Sequence, residues 1–179
     1  LYAALFAQAG YNTSVYARGK RLEVLQTKGL LYREGKEVKK ANISVLSKLQ
    51  DDDKYDFIFL TVREEQLYQA LDELKTNQSK CIVTLVNSID DYKKWEEICG
   101  KGRILPAFPG AGGGIQDDVL NGALTPWLVQ PTTFAEISGK KTTRAMQLSK
   151  IFQKSHIPYQ EVKDMHIWQL CHLAMVVPI

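Results

Sequence analysis

The sequence predicts an α/β protein built on a doubly wound, mostly parallel β-sheet. Short apolar runs typical of strands alternate with amphipathic helical segments at intervals of about 20 to 25 residues. Several of these runs are apolar on both faces, as expected when helices cover both sides of a parallel sheet. The chain has 179 residues, of which 45% are hydrophobic and 24% charged, so it can bury a core of ordinary size.

The first part of the chain predicts two helices and several short strands. Residues 1–9 carry apolar side chains at helical spacing, and Gly10 can end that helix. Residues 13–17 form a β-type run, and residues 20–28 predict a second helix. Residues 30–45, with a glycine near the middle, predict a hairpin with charged residues on its outer face.

The middle of the chain repeats a strand-and-helix pattern. Residues 57–62 and 81–86 are apolar on both faces and predict strands buried in a parallel sheet. Amphipathic helices are predicted after them, at residues 64–74 and 89–98, and residues 104–108 predict a further strand. This alternation is what favours the doubly wound class.

The pattern changes at Gly110. Glycine-rich, β-type segments follow, and then a predicted helix at residues 140–154 and a short strand at 159–162. The last helix is more hydrophobic than a surface helix and predicts the start of a second domain. The sequence therefore predicts one domain at residues 1–162 and the first helix of another at 163–179.

Charge, hydropathy and cysteine content narrow the functional classes. The 23 basic and 20 acidic residues leave a net charge of +3, which disfavours a nucleic-acid or membrane-surface partner. No apolar run reaches the roughly 18 residues of a membrane span. Three cysteines without CxxC or metal-ligand spacing predict a reduced, cytoplasmic protein without a metal site. Because residue 1 already lies inside a predicted helix, we expect a longer protein.

Ligands of an open parallel sheet lie beyond the carboxyl ends of its strands. The residues that follow the first three predicted parallel strands include Arg18, Arg63 and Asn87, which are therefore candidate ligands. In dinucleotide-binding folds, an acidic residue at the end of the second strand prefers NAD, whereas an arginine accommodates the 2′-phosphate of NADP. Arg18, which is followed by Lys20 and Arg21, is a basic residue at this position and so favours NADP.

The phosphate-binding glycine loop of such a fold begins about 20 residues before that position, which places it upstream of Leu1. The helix at residues 1–9 would then direct its amino terminus at the pyrophosphate. Spacing alone leaves a second interpretation equally open, in which Arg18 and its basic neighbours are an exposed helix start. A glycine cluster at residues 110–114 lacks the third glycine of GxGxxG and precedes no helix, so we expect a close-packed turn near a ligand.

The chain resembles the ketopantoate reductase (2-dehydropantoate 2-reductase) family in the helix around Trp168 and in three segments: LYAALFAQAGYNTSVYARGKRLEVLQTKGL, DFIFLTVREEQLYQALDEL and CIVTLVNSID. This resemblance covers nearly the whole chain. It implies a Rossmann domain followed by an all-helical domain, with NADPH and a keto acid bound between them. It also implies an oxidoreductase acting on a small 2-keto acid, as in pantothenate biosynthesis, and a homodimer formed through the helical domain.

The resemblance also implies individual roles. Arg18 corresponds to the arginine that binds the 2′-phosphate of NADPH. Arg63 stands where the family usually has a lysine, and Gln66 matches a glutamine three residues further on; both would contact the cofactor. Asn87 matches the asparagine of a QNG motif that contacts cofactor and substrate, although the tripeptide here is VNS.

The family's catalytic lysine belongs to a W-x-K sequence in the last helix, with asparagines four and eight residues beyond it. Aligned on Trp168, these three positions hold Leu170, Ala174 and Pro178. None of these side chains can donate a proton. Hydride addition to a ketone produces an alkoxide, and loss of the general acid typically lowers the rate about 10²- to 10⁴-fold.

His166 is the candidate replacement acid, because it lies about 40° from Leu170 around a regular helix. His172 lies about 160° away, and Gln169 is weaker still because an amide cannot give up a proton. Either histidine would also suit a side chain packed at a domain interface. Two functions therefore stay open: an NADPH-dependent reductase of a 2-keto acid or related carbonyl, and a non-catalytic NADP(H)-binding sensor or pseudoenzyme.

Overall fold

A computed structural model describes residues 1–176, and the contacts within this range divide the chain into two units. The first unit comprises Leu1–Leu49, Gly110–Pro131 and Ser149–Pro158. The second comprises Gln50–Pro109, Thr132–Leu148 and the chain from Tyr159 onward. The boundary predicted between residues 162 and 163 stays a prediction.

The described residues form six helices: α1 (Tyr2–Gln8), α2 (Gly19–Lys28), α3 (Glu64–Glu73), α4 (Tyr92–Cys99), α5 (Thr143–Lys154) and α6 (Met165–Val176). They also form eleven strands: β1 (Ser14–Tyr16), β2 (Leu30–Glu34), β3 (Glu37–Ala41), β4 (Ser44–Leu46), β5 (Ile58–Leu60), β6 (Ile82–Leu85), β7 (Ile104–Phe108), β8 (Ala111–Gln116), β9 (Val119–Leu124), β10 (Thr132–Phe134) and β11 (Tyr159–Glu161). Within residues 1–176 no helix combines the length and the hydropathy needed to cross a bilayer.

The first unit contains two sheets. β1 pairs in parallel with β4, and four further strands form a sheet in the order β3-β2-β9-β8. Residues of α1, α2, β2 and β3 supply the buried core of this unit: Ala4, Leu25, Leu30, Tyr32 and Ala41. The hairpin between β2 and β3 turns at Gly35, whose φ of 61° is readily adopted by glycine.

The second unit contains the sheet that positions the candidate site. Its strand order is β11-β10-β7-β6-β5, and β5, β6 and β7 run parallel to one another. All four residues of β6 are buried, which explains why its sequence is apolar on both faces. α3 and α4 bury large side chains in the core of the unit, including Leu67, Leu71 and Trp95. The predicted mixed α/β class with a mostly parallel sheet is confirmed.

Two short strands differ from the prediction. Residues 44–46, whose first two residues were assigned to the hairpin, form β4 and pair in parallel with β1 instead. β10 was not predicted, and it runs antiparallel to β7 and parallel to β11. Each strand has three residues, which is too short for a periodic pattern to reveal.

Two predicted helices begin later than expected, because capping residues define their first turns. The Thr142 hydroxyl accepts a hydrogen bond from the Ala145 N–H at 3.2 Å, so α5 begins at Thr143 rather than near residue 140. Asp164 accepts from the Ile167 N–H at 3.0 Å, so α6 begins at Met165.

The glycine cluster forms a strand, β8, rather than the predicted turn. β8 pairs antiparallel with β9, and Gly113 faces Gly122 across the pair. A Cβ atom on Gly113 would lie 2.3 Å from the carbonyl oxygen of Asn121. Close backbone approach, together with a φ of 146° at Gly113, therefore explains the glycine at this position.

Candidate active site

Arg18 lies in the first unit, two residues beyond the end of β1, at the N-cap of α2. Its side chain is exposed, and the guanidinium carbon lies 5.7 Å from the centroid of the Tyr16 ring. The first turn of α2 contains Lys20 and Arg21 and no acidic residue. Positive side chains at a helix amino terminus are unfavourable beside the positive end of the helix dipole. A bound anion would offset this unfavourable positive charge at the start of α2.

One carboxylate of the first unit interacts with the basic residues of α2. Asp118 accepts a hydrogen bond from Lys28 at 2.6 Å, and this bond lowers the pKa of Asp118 below its usual value. Lys20 and Arg21 lower the same pKa by longer-range attraction. The direct ion pair of Asp118 is with Lys28, in the last turn of α2.

Arg63 and Gln66 lie together at the start of α3 in the second unit. Arg63 is the N-cap, and its backbone N–H donates to the Gln66 side-chain oxygen at 3.4 Å. The Arg63 side chain is 83% exposed and lies 3.8 Å from the Glu65 carboxylate. The structure thus gives Gln66 a capping role and leaves the Arg63 guanidinium at the surface.

Asn87 lies two residues beyond the end of β6, and its side chain is exposed. No hydrogen bond to its carboxamide is found within residues 1–176. The next residues are anchored, because the Asp90 N–H donates to the Ser88 hydroxyl at 3.2 Å and the Tyr68 hydroxyl donates to the Asp90 carboxylate at 2.8 Å. Asn87 therefore presents an available amide from a fixed strand end.

His166, Leu170 and Ala174 follow one another at intervals of one helical turn along α6. The His166 ring packs edge-on against the Tyr92 ring, with centroids 5.8 Å apart. Leu170 is 43% exposed and has no polar atom in its side chain. Pro178, the remaining position of the family pattern, lies outside the described residues.

A cleft of about 330 Å³ opens beside His166 in the second unit. Its lining includes three carboxylates, each with a structural partner. Asp91 and Asp164 cap α4 and α6, and Glu136 forms a 2.5 Å ion pair with Arg144. Burial would raise the pKa of Glu136, but hydrogen bonds from Arg144 and Thr142 lower it below its usual value. Within residues 1–176 no group of histidine, cysteine and acidic side chains is arranged to hold a metal ion.

His172 occupies a different surface of α6. Its ring stacks on Trp168 with centroids 5.0 Å apart and lies 4.5 Å from the Phe108 ring. Burial lowers the pKa of His172, which favours its neutral form. The contacts with Trp168 and Phe108 give His172 a packing role.

Tyr92 and Gln169 form a buried polar pair whose role the sequence does not reveal. Gln169 is 1% exposed; it accepts a hydrogen bond from the Tyr92 hydroxyl and donates to the Val86 carbonyl at 3.1 Å. Burial raises the pKa of Tyr92, so its hydroxyl stays protonated and donates. One feature of the sequence could have indicated this pair: Gln169 is a single amide between the large apolar residues Trp168 and Leu170 of a helix. A polar side chain that is buried there needs a hydrogen-bond partner.

The fold has relatives among solved structures. The chain is similar to 2-dehydropantoate 2-reductase from Geobacter metallireducens GS-15, with 14% identity and a TM-score of 0.80 over 97% of this chain and 57% of that one. It is similar to a PanE/ApbA family ketopantoate reductase from Ralstonia eutropha JMP134, with 13% identity and a TM-score of 0.79 over 96% of this chain and 55% of that one.

A third similar structure is D-mandelate dehydrogenase with NADH and anilino(oxo)acetate, at 15% identity and a TM-score of 0.73 over 90% of this chain and 52% of that one. The chain thus spans just over half the length of these three proteins. At such identities the likeness shows the fold, which confirms the Rossmann-like class. No curated protein sequence matches the chain.

The sequence itself identifies the family. The model described as ketopantoate reductase PanE/ApbA matches residues 1–118, which include the strand ends with Arg18, Arg63 and Asn87. The matched range covers well over half of the 179 residues. The chain therefore belongs to the ketopantoate reductase PanE/ApbA family.

Proposed function

We propose that the protein is an NADPH-dependent reductase of a 2-keto acid or a related carbonyl compound. Family membership supports a nicotinamide cofactor and a small-molecule substrate. The observation that carries the choice of NADPH is the amino terminus of α2, where Arg18, Lys20 and Arg21 lie without an acidic residue in the first turn.

The chemistry of this helix start fits a phosphate. The helix dipole and the unpaired N–H groups of the first turn attract an anion. A guanidinium at the N-cap can add a bidentate, charge-assisted pair of hydrogen bonds. NADPH carries a 2′-phosphate that NADH lacks, so Arg18 would distinguish the two cofactors.

In the second unit, Asn87 and Arg63 are the residues that we propose contact cofactor and substrate. When bound, NADPH would supply a hydride to the carbonyl carbon. Asn87 would orient the reacting groups, because its exposed amide can both donate and accept hydrogen bonds. The exposed Arg63 guanidinium would approach a cofactor phosphate, and Gln66 would hold the Arg63 backbone in place.

His166 would donate the proton to the carbonyl oxygen. It lies one helical turn from Leu170, which occupies the position of the family's lysine, and it lines the cleft in the second unit. An imidazole can release a proton near neutral pH, whereas the leucine side chain cannot.

A second candidate function is NADP(H) binding without catalysis, as in a redox sensor. The observation that favours it is the apolar surface of α6, where Leu170 and Ala174 are exposed at positions that would bear a lysine and an asparagine. Both functions require the same cofactor site, so only turnover separates them.

The cofactor proposal is tested by Arg18→Ala. We expect the Kd for NADPH to rise about 10- to 100-fold, because charge-assisted hydrogen bonds to the 2′-phosphate are lost. The Kd for NADH should change less than about twofold, since NADH has no group for Arg18 to bind. Both constants can be measured by nicotinamide fluorescence.

Arg33→Ala is the matched control, because Arg33 is another exposed arginine of the first unit and donates to Asn121 at 2.7 Å. It should leave both constants unchanged. Equal weakening of NADPH and NADH in Arg18→Ala would contradict a 2′-phosphate role for Arg18.

A further inference from the structure

Gln169 is a buried amide in the largely apolar helix α6, and both ends of its side chain are bonded. Its Nε2 donates to the Val86 carbonyl at 3.1 Å, and its Oε1 accepts from the Tyr92 hydroxyl. Only 1% of the residue is exposed, so water does not compete for these bonds. A buried amide with both ends satisfied has one defined orientation.

The acceptor of this bond is the peptide group that leads into Asn87. The Val86 carbonyl and the Asn87 N–H belong to one planar unit, so fixing the carbonyl also fixes the direction of the N–H. Gln169 thus restrains the backbone from which the Asn87 side chain projects. Val86 is itself 1% exposed, which leaves its carbonyl no alternative partner in water.

The backbone on the other side of Asn87 is also restrained. Ser88 is 1% exposed, and its hydroxyl accepts the Asp90 N–H at 3.2 Å. Asn87 is therefore an exposed residue between two buried, hydrogen-bonded neighbours. This arrangement lowers the entropy lost when the Asn87 amide engages a ligand.

Tyr92 orients Gln169 in turn. The Tyr92 ring packs against Trp95, with centroids 5.0 Å apart, and Trp95 is fully buried. The hydroxyl therefore points from a fixed ring, and it can donate to the Gln169 oxygen from one direction. The chain of contacts runs from the core of the unit through Tyr92 and Gln169 to the strand end.

We propose that Gln169 is a positioning residue that holds Asn87 for its ligand, and that Tyr92 fixes the orientation of Gln169. The inference rests on the proposed role of Asn87 in binding cofactor and substrate. The inference adds to the proposed function, because it gives α6 a second role. Besides supplying an acid, α6 would hold the backbone that follows β6 in place.

The test compares Gln169→Met, which keeps a similar side-chain volume but removes both hydrogen bonds, with a matched control. Gln160→Met removes one glutamine hydrogen bond, from Nε2 to the Thr133 hydroxyl at 2.9 Å, elsewhere in the same unit. Hydrogen–deuterium exchange of a peptide spanning residues 85–90 should accelerate about 10-fold in Gln169→Met and stay unchanged in the control.

Kinetics then separate positioning from general stability. Gln169→Met should lower kcat about 10- to 100-fold, since a small misplacement of a binding group has effects of that size. In an Asn87→Ala background the same substitution should lower kcat less than about twofold further, because Gln169 acts through Asn87. Tyr92→Phe leaves the bond from Gln169 to Val86 intact, so it should change the exchange rate and kcat in the same direction but by smaller factors. This variant replaces Gln169→Met in the test if Gln169→Met folds poorly.

Two results would overturn the proposal. One is unchanged exchange at residues 85–90 in both Gln169→Met and Tyr92→Phe. The other is a full multiplicative loss of kcat when Gln169→Met is combined with Asn87→Ala. If the wild-type protein turns over no carbonyl substrate, the proposed reductase function fails, and the exchange measurement alone decides whether Gln169 restrains this segment.

Discussion

His166 is the residue on which the proposed chemistry most depends. Leu170 cannot donate a proton, and His172 stacks on Trp168 and contacts Phe108, with its pKa lowered by burial. His166 borders a cleft and touches the Tyr92 ring with one edge. Of the two histidines on α6, His166 therefore has the environment in which an imidazole could reach a ligand.

His166→Ala should lower kcat for carbonyl reduction about 10²- to 10⁴-fold, because the alkoxide loses its proton donor. The Kd for NADPH should change less than about twofold, since the acid acts on the substrate. His172→Phe is the control on the same helix; it keeps an aromatic ring beside Trp168 and should retain activity. Unaltered turnover in His166→Ala would show that another group supplies the proton.

Individual residues could be predicted from the sequence where a pattern gives them a place. Arg18, Arg63 and Asn87 follow apolar runs, and strand ends are where ligands bind. The pairing of Tyr92 with Gln169 could not be predicted, because the two residues are 77 positions apart and only the packing of α6 brings them together. The hydrogen bond from the Arg63 N–H to the Gln66 side chain could not be predicted either, because it depends on the rotamer of Gln66.

At the scale of elements, the hairpin of β8 and β9 explains a cluster of glycines that resembles a phosphate-binding loop. At Gly113 a Cβ would lie 2.3 Å from the Asn121 carbonyl oxygen and 2.5 Å from the Gly122 Cα. Both contacts are with backbone, which cannot move aside as a flexible side chain can. Neighbouring Gly114 has open space where its Cβ would lie.

Gly113→Ala should therefore lower the free energy of unfolding by about 2 to 4 kcal/mol, through backbone strain and overpacking. Gly114→Ala should change it by less than about 0.5 kcal/mol, because the added methyl meets nothing. Urea unfolding of the two variants measures both values. Similar destabilisation by the two substitutions would contradict this account of the hairpin.

Elements with a sustained pattern were predicted correctly, and short ones were not. α3, α4 and β6 carry enough periodic or uniformly apolar sequence to identify them, and their bounds differ from the prediction by only a few residues. β4 and β10 have three residues each, and their partners are set by tertiary contacts. The starts of α5 and α6 differ from the prediction because one capping side chain decides each of them.

At the scale of the whole molecule, the alternation of strands and helices was sufficient to predict the class. The parallel strands β5, β6 and β7 confirm it, and the family model over residues 1–118 agrees. The function could be predicted in less detail, because the resemblance assigns a cofactor role to Arg18 and Asn87 but places Leu170 where it implies a proton donor. The proposed cofactor residues and the residues of α6 therefore favour different functions, and both the reductase and the sensor stay proposals.

The central claim is that the protein reduces a carbonyl substrate with NADPH. The most direct measurement mixes the protein with NADPH and, in turn, ketopantoate and a panel of other 2-keto acids, and follows nicotinamide fluorescence with time. We expect a steady loss of fluorescence that depends on one of the acids. A stable enhancement of fluorescence, without loss for any acid, would contradict the reductase and support NADP(H) binding without turnover.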